Sequence, residues 1–148
     1  MADNFFLVYR IKHTFHSSFH IFDMSAAVTA GEYRRARAIL ESLMFSKTPP
    51  ELIVATLGKA FCDMLLVREA QSAGKSPAAM AGALKLQDWQ LRRVFSAAAR
   101  ADDAFLRYAV QACADVDLRL KSVACEPYAA VGTLLARLQG YGRARKSG

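Results

Sequence analysis

The stretch PELIVATLGKAFCDMLLVREAQSA, Pro50–Ala73, decides the fold. Its apolar residues recur at Ile53, Leu57, Ala60 or Phe61, Met64 and Val67, the spacing of one helical face. Leu52, Leu65 and Leu66 widen that face, so neighbours are expected on two sides. Both ends are marked. Thr48 stands ready to cap, Pro49 and Pro50 suit a first turn, and Glu51 complements the positive end of the helix dipole. Gly74 suits a left-handed C-cap. At about 1.5 Å per residue the helix runs roughly 36 Å, the width of a small domain. Everything else reads as shorter helices laid against it.

A second long helix is expected over residues 104–122, capped by Asp102 or Asp103. Its inward face is Phe105, Ala109, Ala112, Cys113, Val116 and Leu120. Asp117 and Lys121 stand four apart in the favourable acid-before-base order, worth about 0.2–0.5 kcal/mol. Between the two long helices lies a compact unit. Ser76 caps a short helix, Leu86-Gln87 links, and Asp88 caps a helix over Trp89–Arg100 with Arg92 and Arg93 outward. Upstream, Asp23 or Ser25 caps a short helix to Ala30, Gly31 breaks it, and Tyr33–Phe45 follows with a basic cluster at Arg34, Arg35 and Arg37. Pro127 opens a last helix to about Gln139. The expected fold is therefore all-α, a compact bundle of about six to seven helices built on the two long ones. Its bounds are 21–139. Residues 1–20 form a poorly defined N-terminal segment, and residues 140–148 read as a loose basic tail.

Composition agrees. Hydrophobic residues make up 53% of the 148, which argues against disorder, and they lean on Ala, Leu and Phe, which favours helix over sheet. The net charge is +7, but Arg137, Arg143, Arg145 and Lys146 place +4 of it at the C-terminus. Cys62, Cys113 and Cys125 form no C-x-x-C pair, and Cys62 and Cys113 fall within apolar helical patterns, so buried thiols in a reducing compartment are expected. No apolar run approaches a membrane span and Met1–Asp23 lacks the order of a signal peptide, so the expected location is cytoplasmic.

Chemistry-bearing motifs are sparse. There is no G-x-x-x-x-G-K-[ST], no G-x-G-x-x-G and no H-E-x-x-H, so no cofactor and no small-molecule substrate are expected. His13, His16, His20 and Asp23 are spaced three, four and three apart, one face of a helix, a set able to hold zinc. The plainer reading makes these histidines the wet side of an aromatic-rich segment containing Phe15, Phe19 and Phe22. The helix pair ending in Trp89–Arg100 resembles a helix-turn-helix, with Gln90, Arg92, Arg93 and the basic tail as DNA contacts, but any helical hairpin gives that signal.

The order of pieces carries a fuller resemblance. IFDMSAAVTAGEYRRARAILESL, starting at Ile21, resembles a first helix pair, and PPELIVATLGKAFCDMLLVREAQSAGKSP, starting at Pro49, the long helix after it. MAGALKLQDWQLRRVFSAAARADDAFLRYAVQACADVDLRLKS, starting at Met80, resembles the hairpin and second long helix, closing on an acid-x-x-x-Lys signature at Asp117 and Lys121. AVGTLLARL resembles a final leucine-rich helix. Together, over roughly Ile21–Leu138, these resemble the C-terminal domain of the bacterial DNA polymerase III delta subunit. The resemblance implies a non-catalytic collar domain that joins the matching domains of the gamma/tau and delta-prime subunits, holding together the clamp loader that places the sliding clamp in DNA replication. It implies no catalytic residue. The family's clamp-opening N-terminal domain has no counterpart on this reading, so a truncated or rearranged reading frame, or an isolated fragment, is expected.

Overall fold

The computed structural model describes residues 18–122 and 124–147. Among them it is all-α, with seven helices and no strand. Helix α1 covers residues 18–29, α2 Tyr33–Phe45, α3 Pro50–Ser72, α4 Pro77–Leu84, α5 Asp88–Arg100, α6 Asp103–Ser122 and α7 Pro127–Ser147.

Helix α3 is the axis of the bundle. It packs most extensively on α6, then on α5, α7 and α4. Its buried side chains, Ile53, Val54, Leu57, Ala60, Phe61, Met64 and Val67, therefore spread around the cylinder and do not keep to one stripe. The α3–α6 seam is close because its residues are small. A Cβ at Gly58 would stand 3.3 Å from the Cβ of Cys113, and Ala109 and Ala112 lie buried on the same helix as Cys113. Phe61 fills the space beside them, edge-on to Phe105 with ring centroids 6.4 Å apart.

Helix ends follow from local chemistry. Helix α3 opens with Pro50 at its first position and closes on a Schellman motif, with Gly74 at φ +77°, its N–H on the Gln71 carbonyl and the Lys75 N–H on the Ala70 carbonyl, each at 3.0 Å. Helix α2 closes in the same way but with Lys47 at φ 57° where glycine is the unstrained choice. Ser76 caps α4 by accepting from the Ala79 N–H at 3.3 Å. Asp102 caps α6 by accepting from the Ala104 N–H at 3.2 Å.

Several expected boundaries are corrected. Helix α1 is already helical at residue 18, so Asp23 and Ser25 are interior positions and not caps; the Ser25 hydroxyl donates back to the Phe22 carbonyl at 2.6 Å. Thr48 does not cap α3. Its hydroxyl is buried without a partner among the described residues, and its carbonyl accepts from the Tyr128 hydroxyl at 2.7 Å, tying the start of α7 to the α2–α3 turn. Gln87, not Asp88, is the N-cap of α5. Cys62 is exposed, while Cys113 is buried and its thiol pKa is pushed up to about 12 by burial. The largest correction is at the C-terminus. Residues 140–147 are not a loose tail but the last two turns of α7. Gly140 and Gly142 each cost about 1 kcal/mol of helix propensity. Tertiary contact offsets it: the Tyr141 ring stacks on Tyr108 at 4.1 Å with the planes 6° apart and also meets Phe105 at 6.2 Å.

Candidate functional surfaces

The α4–α5 hairpin was the sequence's candidate for reading DNA, and its side chains are committed elsewhere. Gln90 sits in a capping box and accepts from the Gln87 N–H at 2.9 Å, while the Trp89 indole N–H donates to the Gln87 side chain at 2.9 Å. Arg93 faces inward. Its guanidinium pairs with Asp23 and lies 4.5 Å from the Phe19 ring centroid and 5.1 Å from that of Phe22. Burial lowers its pKa. Of the three proposed contacts only Arg92 is exposed. This disfavours the helix-turn-helix reading: Arg93, expected on the outer face of α5, links α1 to α5 instead. The sequence signal was partial: the three-four-three spacing puts Asp23 on one helical face with His20, but nothing in it pairs Asp23 with Arg93.

Asp117 and Lys121 form the expected pair on α6, with Lys121 Nζ donating to Asp117 Oδ2 at 2.8 Å. His13 and His16 lie outside the described residues. Among the described residues no three His, Cys, Asp or Glu side chains group as metal ligands. Between α1, α3 and α5 is a cleft of about 230 Å³ lined by Phe19, Phe22, Thr56, Lys59, Asp63 and Trp89. Its two titratable groups are spent on each other, Lys59 Nζ donating to Asp63 Oδ2 at 2.6 Å. No helix among the described residues is long and apolar enough to cross a membrane.

What the surface does offer is uncovered apolar side chains. Phe45 is 90% exposed at the end of α2, with Met44 beside it at 40%. Leu118 on α6 is 66% exposed and Leu66 on α3 46%. A phenyl ring so open to water contributes little to this fold, and Phe45 with its neighbour Met44 forms the one adjacent pair among these exposed side chains.

Comparison with known proteins bears on these surfaces. Curated proteins give no match. Among solved structures the chain is similar to the Bacillus subtilis DNA clamp loader delta protein (YqeN), with a TM-score of 0.78 and 17% identity over 84% of this chain and 37% of that one. The likeness shows the fold, and the chain spans little more than a third of that protein's length. Residues 18–138 match the family described as DNA polymerase III delta subunit, C-terminal domain, so the match begins three residues before the Ile21 boundary read from sequence. On that match, which covers the bundle from the first described turn of α1 through most of α7, the chain belongs to the family formed by the C-terminal domains of DNA polymerase III delta subunits.

Proposed function

We propose that this chain is an assembly module of the DNA polymerase III clamp loader, a delta-like collar domain that binds the collar domains of the gamma/tau and delta-prime subunits. In that role it supports loading of the sliding clamp in DNA replication in the cytoplasm. It is non-catalytic and needs no cofactor. The observation that carries the reading is the family match across residues 18–138, which takes in α1 to α6 as described and α7 as far as residue 138. The uncovered Phe45, Met44 and Leu118 support it, since a ring of helical domains buries such side chains between neighbours.

The test is association in solution. Purified chain mixed with reconstituted gamma/tau and delta-prime is expected to co-elute with them in size-exclusion chromatography with light scattering. Absence of a complex at micromolar concentration overturns the proposal.

A further inference from the structure

Two basic clusters that are about a hundred residues apart in sequence share one surface in the fold. The α1–α2 turn, the outer side of α2, the end of α5 and the last turns of α7 border two clefts that have Gly31, Tyr33 and Gln139 in common. Six cations line them: Arg34 and Arg37 from α2, Arg100 from α5, and Arg143, Arg145 and Lys146 from α7. They converge only because α7 stays helical to Ser147. The approach is close, since Lys146 Nζ lies 3.9 Å from where a Cβ on Gly31 would stand.

The carboxylates on this surface are largely used. Asp102 caps α6 through one oxygen and holds Arg145 at 2.8 Å through the other. Glu32 pairs with Arg35 at 3.3 Å. Glu41 borders the α2 side. Arg37 is oriented by a 2.9 Å hydrogen bond to the Gln139 side chain. Arg34, Arg100, Arg143 and Lys146 have no ion-pair partner among the described residues, and all four are exposed. Unneutralised cations gathered from three helices repel one another. An arrangement that keeps them together gains most from an anionic ligand.

We infer that this face binds the phosphate backbone of nucleic acid without reading sequence. Arginine dominates the set, and its planar fork suits phosphate oxygens, which accept two parallel N–H bonds. The anions of a nucleic-acid strand repeat, which matches cations distributed over three elements better than one compact anion does. The choice of nucleic acid over an acidic polypeptide rests on the family reading, which places the chain in replication machinery. The site shares Arg143, Arg145 and Lys146 with the basic tail of the hairpin reading but includes none of Gln90, Arg92 and Arg93.

The experiment is fluorescence anisotropy of a labelled random-sequence DNA duplex titrated with the full chain at rising salt. With four free cations engaged, log affinity should fall against log salt with a slope of about −3.6. The double variant Arg34→Glu/Arg143→Glu should bind at least about tenfold more weakly and flatten the slope by about 2. Arg92→Glu/Arg119→Glu, with the same change in net charge on other faces, should bind within about threefold of the parent. The milder Arg34→Gln/Arg143→Gln pair must weaken binding in the same direction. The inference is overturned if the parent chain does not bind duplex at low salt. Equal weakening in both charge-reversed variants, or polyglutamate bound more tightly than DNA, also overturns it. Assembly with partner subunits is measured without DNA, so loss of DNA binding with assembly intact sinks only this inference, and the reverse result sinks only the assembly proposal.

Discussion

Lys47 sits at φ 57° between α2 and α3, where its N–H bonds the Met44 carbonyl and the next N–H, that of Thr48, bonds the Leu43 carbonyl, each at 3.0 Å. A side chain in the left-handed region costs about 1–2 kcal/mol, of which glycine's greater freedom in the unfolded chain takes back about half. Lys47→Gly should therefore raise stability by about 0.5–1 kcal/mol, read as a shift in the urea midpoint with unchanged slope. The buried thiol gives a second prediction. Burial pushes Cys113 up to about 12, against a smaller opposing pull from Arg137. Above its ordinary range the unfolded thiol loses its proton while the native one keeps it, so the unfolded state binds fewer protons and stability falls as pH rises from about 9 towards 12. A Cys113→Ala variant lacks this loss, so its stability deficit against the parent should shrink steadily over that window. Tyr33, raised to about 12 by burial, pulls in the same direction in both proteins and so cancels from the comparison. Single residues were the least legible feature of the sequence. Thr48 and Asp88 were each one position from the true N-cap. Cys62 lies beside the buried Phe61 and Asp63 on α3 yet points to solvent, because the buried arc of a helix touched on several sides has no simple period.

Elements were read far better than their ends. Both long helices, α2, and the short α4 and α5 stand where apolar spacing, proline and glycine put them, because those signals are local to each segment. The failures came where a distant partner overrides local preference. Gly140 and Gly142 announce a helix end, and only Tyr108 and Phe105 on α6, with Asp102 holding Arg145, explain why α7 runs on. A loose tail predicts that deleting residues 140–148 leaves stability unchanged. The structure predicts otherwise. The deletion removes the stacked Tyr141 ring and the α7 partner of Asp102, and it should cost about 2–3 kcal/mol, lowering the melting temperature by several degrees. Tyr141→Ala within the full chain should give most of that loss, whereas Arg143→Ala, exposed and unpaired, should give almost none. Calorimetry on the three proteins decides the matter, and equal melting temperatures throughout would restore the loose tail.

At the scale of the whole molecule, the described helices share one core, and their exposed large apolar side chains lie in separate places: Phe19 on α1, Met44 and Phe45 at the end of α2, Leu66 on α3 and Leu118 on α6. Which of these stays uncovered was not legible from period alone, because an exposed Leu or Phe on a helix face looks the same in sequence as a buried one. Energetics gives a way to find out. Phe45, at 90% exposure, contributes little to folding, so Phe45→Ser should leave the melting temperature within about two degrees of the parent, as a surface change within about 0.5 kcal/mol would. If a partner collar domain covers it, burying the ring supplies about 1.5–3 kcal/mol, and the same variant should weaken association with gamma/tau or delta-prime by about tenfold to a hundredfold. Leu118→Ser probes α6 on the same terms. A titration of each variant against the partner subunits therefore assigns the interface to one helix or the other. Retention of full affinity by both, with the fold intact, would mean that assembly does not use the most exposed apolar side chains the bundle offers, and the proposed basis of association would fall.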